Sequence, residues 1–211
     1  FFMTSGYLLL GKQSVDWRYS SLKIWGIFRF VAIITIAYWF LTGIRHGVPF
    51  LTFTLGSLFQ KGRMGIFWYF GAMIIIYALL PILHRLFVNH PKVFKILTIV
   101  LGLLANVIFI ANFWGVHIEI NTIQTFRLWN WLFYFNVGGL IRIYRPKIAG
   151  SVVLALVIIN LLFQYTLTPQ MPSNLCEFFY SSVIVMALSV ALFSYLLNID
   201  ESKLKNINGG G

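Results

Sequence analysis

Arg29 stands where a cation is costly. It lies five residues into the apolar run Ile24 to Ile44, about 7 Å along a helix from the start of the run. A guanidinium at that depth either snorkels back to the headgroups or lines a polar cavity. Lys23 borders the same run.

A second group of residues is aromatic or polar within otherwise apolar stretches. Trp68 and Tyr69 open the apolar stretch Met64 to Phe87; their faces suit either a stacked sugar ring or the aromatic belt of a membrane. Tyr77 falls mid-stretch and needs a hydrogen-bond partner, for which Asn106, Asn136 and Asn160 are the candidates. Ser5 lies in an apolar segment beside Gly6, where a small polar side chain also serves close helix packing. Glu177, three residues after Asn174, fits a helix-capping pair or an outer contact to a sugar hydroxyl. Glu119 and His117 belong to a polar connection. His46, His84, His90 and His117 all fall at or beyond helix ends and read as solvated interfacial side chains. No spacing of His, Cys and acids forms a metal site, and the single cysteine, Cys176, allows no internal disulfide.

The elements that must carry these residues are membrane helices. The 211 residues are 59% hydrophobic and 10% charged, with mean hydropathy +0.84, which excludes an ordinary soluble domain. Roughly 20 apolar residues cross the hydrocarbon of a bilayer. On that measure the spans are Ile24 to Ile44, Met64 to Phe87, Val93 to Trp114, Leu128 to Tyr144, Ile148 to Leu167 and Leu175 to Leu197. Phe1 to Leu10 supplies a half-span, and Val48 to Leu58 a short interfacial or re-entrant helix. Pro81 should loosen the last turns of its helix, and Gly138-Gly139 should break theirs. The expected fold is an all-α, polytopic transmembrane bundle of about six full spans plus a truncated N-terminal half-span, a single domain over 1–211.

Charge orients the bundle. Twelve of the sixteen basic residues fall on one set of alternating loops, and only Arg45, Lys61, Arg63 and Arg127 on the other. By the positive-inside rule, the loops after residues 11, 84, 144 and 198 are cytosolic. The formal charge of +11 therefore reads as membrane topology, and nucleic acid is excluded as a partner.

The segment Phe1-Phe2-Met3-Thr4-Ser5-Gly6-Tyr7-Leu8 resembles the Phe-Phe-x-x-Ser-Gly-Tyr-Leu motif of the second helix in the membrane acyltransferase-3 family. Trp68, Tyr69, Tyr77, Leu80 and Pro81 resemble a further family helix, and the aromatic Tyr134-Phe135 followed by Gly138-Gly139 a third. Ile66 stands where the family often has His. At Arg29 the family carries Arg-x-x-Arg; here Gly26 replaces the first Arg, leaving Arg29 with Lys23 as its substitute.

The resemblance implies an integral membrane O-acyltransferase, transferring a group other than an amino-acyl group. The group is acyl, typically acetyl, moved from acyl-CoA to a hydroxyl of a cell-surface or lipid-linked carbohydrate. Acetyl-CoA is then a co-substrate, no bound cofactor or metal is needed, and the setting is a bacterial inner membrane crossed several times. Arg29 and Lys23 become acyl-donor ligands; Ser5, Trp68, Tyr69, Tyr77 and Glu177 become acceptor-pocket candidates. Such a reaction needs a base at the acceptor hydroxyl. In the family this is a His on the first helix, expected upstream of Phe1, so no catalytic residue is assigned within the chain. The alternatives are a glycan or lipid transporter or flippase, disfavoured by the lack of mid-span acids, and a non-catalytic assembly protein.

Overall fold

The computed structural model describes residues 1–43, 47, 49–167 and 176–199, without the side chains of residues 43 and 176–178. The described residues are helical, with no strand. In chain order the helices are α1 (Phe2–Leu10), α2 (Trp17–Tyr38, continued by a π-helical turn Trp39–Gly43), α3 (Phe50–Leu58), α4 (Trp68–Asn89), α5 (Pro91–Phe113), α6 (Ile118–Asn121), α7 (Leu128–Tyr144), α8 (Gly150–Leu167) and α9 (Val183–Leu197). Short 3-10 turns precede α4, α7 and α9.

Four stretches are long and apolar enough to cross a membrane: Trp17–Thr42, Gly65–Asn89, Pro91–Phe113 and Gly150–Leu167. The six spans expected from sequence thus divide into these four and two shorter helices. The first short one, α7, has the bounds predicted for it. Its 17 residues reach only about 26 Å, and it carries Asn130, Asn136 and Arg142 on a largely buried body. Shielded by α1, α4 and α5, it need not satisfy lipid along its whole length. The second, α9, is preceded by the turn Cys176–Ser181, so the expected single helix from Leu175 is interrupted. Its cap is the Ser182 hydroxyl, which accepts from Val185 N at 3.3 Å; Asn174 and the Glu177 side chain lie outside the described residues, as do Arg45 and His46.

Other boundaries move for local reasons. Helix α2 starts seven residues before the apolar run, because Asp16 Oδ1 accepts from Tyr19 N at 2.7 Å and caps it. Residues 17–23, expected in a loop, are therefore helical. The basic loop expected from His84 to Lys95 shrinks to His90, because α4 runs to Asn89 and Pro91 starts α5 at the position where its missing N–H costs nothing. Pro81 is buried within α4, and the helix continues through it.

Gly138-Gly139 does not break α7. A Cβ on Gly138 would collide with the Met3 carbonyl oxygen, and one on Gly6 with the Phe135 carbonyl oxygen. The two helices meet backbone to backbone, and α1 packs most extensively on α7. At the far end of α1, Gly11 leaves room for the Arg142 side chain, which lies 5.2 Å from the Tyr7 ring centre and donates to Tyr7 O at 3.3 Å. His84, expected to be solvated, is instead buried on α4 and bonds through Nε2 to the Lys12 carbonyl at 2.9 Å. It ties α4 to the chain leaving α1.

Candidate functional site

Two ends of the bundle carry different chemistry. At one end the N-terminal turns of α1, α4 and α7 meet. Phe2 stacks on Trp131 with ring centres 4.9 Å apart, Trp131 on Trp68 at 5.0 Å, and Phe2 meets Tyr69 at 4.9 Å. The Ser5 hydroxyl lies beside the Tyr69 phenol. Three acceptor-pocket candidates, Ser5, Trp68 and Tyr69, thus come together, each half-buried. Phe2 and Trp131 join them unforeseen by sequence, both nearly buried. The Trp131 indole is fixed by donating to Gln124 O at 2.6 Å. Beside this wall a cleft of about 350 Å³ lies between α1, α7 and α9, lined by Phe2, Trp131, Tyr134, Tyr180 and Ser189 among others.

Tyr77 lies deeper and half-buried, near Tyr69 and Tyr19. None of the three asparagines proposed as its partner serves it. Asn106 donates to Gly102 O at 2.8 Å and to Met186 Sδ at 3.4 Å, and Asn160 accepts from Gln164 at 3.4 Å. Asn136 is fully buried, with neither side-chain atom hydrogen-bonded.

Behind the aromatic wall is a polar knot that no sequence motif marked. Glu119, Arg127, Asn130 and Ser181 are all at most 2% exposed. Ser181 Oγ donates to Glu119 Oε1, and Asn130 Nδ2 reaches Ser181 Oγ at 2.8 Å and Glu119 Oε1 at 3.4 Å. Arg127 donates through Nε to Thr122 O at 2.9 Å and through Nη2 to Glu119 O. The Asn112 side chain accepts from Glu119 N at 3.2 Å. Burial lifts the Glu119 carboxyl above the usual carboxylate range, against the opposing pull of Ser181, Arg127 and Asn130. The knot joins α5, α6, α7 and the turn before α9. Its one sequence signal was the run of polar residues from Glu119 to Asn130, which reads equally well as a solvated connection.

The opposite end is basic. Lys12 Nζ and Lys23 Nζ lie 4.5 and 5.6 Å from the centre of the Tyr19 ring, on either side of the junction between α1 and α2. Lys23 was expected there; Lys12 and Tyr19 were not. Arg29 lies on α2, about 9 Å further along the axis, with its side chain exposed on the flank of the bundle. The structure thus pairs Lys23 with Lys12 and leaves Arg29 apart from both. Glu177 has no described side chain, so its part in the acceptor set is left to sequence. Among the described residues no three His, Cys, Asp or Glu side chains gather as metal ligands.

No curated protein and no solved structure matches the chain. A family profile does: the acyltransferase domain of the acyltransferase-3 family matches residues 1–207, almost the whole sequence. The all-helical body, with four helices able to cross a membrane and the Ser5-Gly6 motif packed against α7, agrees with that match, and the chain belongs to the acyltransferase-3 family of membrane acyltransferases.

Proposed function

We propose that this protein is an integral membrane O-acyltransferase working across the bilayer, with its acyl-CoA donor at the basic end and its carbohydrate acceptor at the aromatic end. The observation that carries the reading is the convergence of Ser5, Trp68 and Tyr69 with Phe2 and Trp131, at the end opposite Lys12 and Lys23. The Trp68 indole, the Tyr69 phenol and the Ser5 hydroxyl, held in place by the buried Phe2 and Trp131, offer a sugar a stacking face and hydrogen-bond partners. The positive-inside distribution supports a cytosolic basic end, as acyl-CoA requires, and a bacterial inner membrane is the setting that fits.

In this reading Lys12 and Lys23 take the donor's phosphates, with Arg29 as a further cation along α2. The group moved is acetyl, and the acceptor is a hydroxyl of a surface or lipid-linked glycan. The base at that hydroxyl is the histidine that the family uses, a role given to none of the residues named above. The thioester C–S bond breaks as the new ester C–O bond forms, and the acceptor's proton leaves with the base and reaches the thiolate of coenzyme A.

The test is steady-state kinetics of the full-length protein in vesicles with acetyl-CoA. Lys23→Ala and Lys12→Ala should each raise KM for acetyl-CoA about tenfold, the loss of one charge-assisted contact, with kcat little changed. Arg29→Ala should act in the same direction. Unchanged KM in all three variants contradicts the donor assignment.

A further inference from the structure

A second cavity lies at the aromatic end, on the far side of α4 from the stacked tryptophans. It has a volume of about 750 Å³, within the range of sites that hold a small ligand or part of a larger one. Its walls are apolar, formed by Phe53 and Leu55 of α3, Phe59, and Ile123 and Phe126 before α7. Phe59 and Phe126 meet with ring centres 5.7 Å apart. Two cations, Lys61 and Arg63, line it together with the hydroxyl-bearing Thr42 and Thr52; among the described residues no carboxylate does.

The turn that bears these cations is built and fastened. Gln60 and Gly62 both take positive φ, 58° and 71°, and Lys61 N closes the turn on Gly56 O at 2.8 Å. Two bonds then lock it to the segment before α7: Gln124 N donates to Gln60 Oε1 at 2.7 Å, and Thr125 Oγ1 to Leu58 O at 2.6 Å. A non-glycine residue held at positive φ is uncommon, and here the surrounding bonds fix it. A lone surface lysine on a free loop has no such support.

We infer that this cavity binds a long-chain lipid phosphate, with its hydrocarbon along Phe53, Leu55, Phe59 and Phe126 and its phosphate between Lys61 and Arg63. Two cations without an acid match the nearly double charge of a phosphate monoester or diphosphate better than the single charge of an ordinary phospholipid diester. The bidentate fork of Arg63 and the hydroxyl of Thr52 add the donors such a group requires. This deepens the acceptor reading, by making the glycan's carrier a polyprenyl-type diphosphate, and rests on that reading only for what the lipid carries.

Binding is measured without turnover, by native mass spectrometry of the detergent-purified chain with three probes: a polyprenyl monophosphate, the corresponding neutral prenol, and phosphatidylglycerol. The monophosphate should bind at least about tenfold tighter than either other probe. Lys61→Ala/Arg63→Ala should remove that preference, whereas Lys92→Ala, an exposed cation at the basic end, should leave it intact. Equal binding of phosphatidylglycerol, or a preference that survives the double variant, overturns the assignment. A photoactivatable polyprenyl phosphate on the unaltered chain guards against misfolding of the variant. Its label should map to residues 52–63 and 123–126, and labelling elsewhere also overturns the assignment. Binding that holds while acetyl transfer is absent contradicts the enzymatic reading and leaves this site standing; the converse contradicts only the site.

Discussion

At the scale of single residues, the Glu119 knot makes the sharpest claims. The buried carboxyl holds its proton more tightly in the folded chain than in the unfolded one, where its value is the ordinary 4.5. Proton linkage then fixes the sign: its contribution is most favourable below about pH 4.5 and declines as pH rises toward the raised folded value. Thermal denaturation in detergent should show this decline from pH 4.5 upward, and Glu119→Gln, which cannot ionise but keeps an oxygen for Ser181, should flatten it. A steeper decline in the variant contradicts the account. Arg127→Met tests the other half of the knot. It strips a donor from the Thr122 carbonyl and from the Glu119 carbonyl, which keeps the Thr122 N–H, and should cost about 1–3 kcal/mol, the range for one buried group left unpaired. Loss of less than about 0.5 kcal/mol would mean that water already reaches those carbonyls.

At the scale of helices, the contact of α1 with α7 depends on missing side chains. Gly138→Leu drives a side chain into the Met3 backbone and should cost on the order of 3 kcal/mol, shifting Trp emission to the red as Phe2 leaves Trp131. Gly26→Ala is the contrasting case. Nothing lies within 4 Å of its added Cβ, so helix propensity should stabilise α2 by up to about 1 kcal/mol. Equal melting of the two variants would refute the packing described. The sequence made part of this legible. Ser5 beside Gly6 marked close packing, although the partner could not be read and Gly138-Gly139 was expected to break its helix, because the contacts join positions about 130 apart. The limits of α7 were read correctly because Arg127 and the run Arg145-Pro146-Lys147 bound its apolar stretch. The start of α2 was missed because a single side-chain cap at Asp16 outweighed the polarity of residues 17–23. His84 was misplaced for a related reason: proximity to a predicted helix end gives no sign of burial, which a carbonyl from α1 decides.

At the scale of the whole molecule, the account divides the bundle into a basic end and an aromatic end. The aromatic wall was half-visible beforehand. Ser5, Trp68 and Tyr69 were found by motif, while Phe2 and Trp131 complete the wall only through the docking of α1 and α7. The polar knot stayed hidden because buried and solvated polar residues look alike in sequence. Orientation across the membrane has its own test. In intact cells carrying the Cys176→Ser background, a membrane-impermeant maleimide should label Lys61→Cys and spare Lys92→Cys; the reverse pattern inverts the proposed topology. The central claim is that an acyl group passes from one end to the other. Its most direct measurement uses sealed inverted vesicles with the full-length protein, given labelled acetyl-CoA on the cytosolic side alone. The account predicts labelled carbohydrate in the lumen, with the rate cut about tenfold or more by Trp68→Ala through loss of stacking. Vesicles of folded protein that transfer no label, or whose label is indifferent to Trp68, would contradict it.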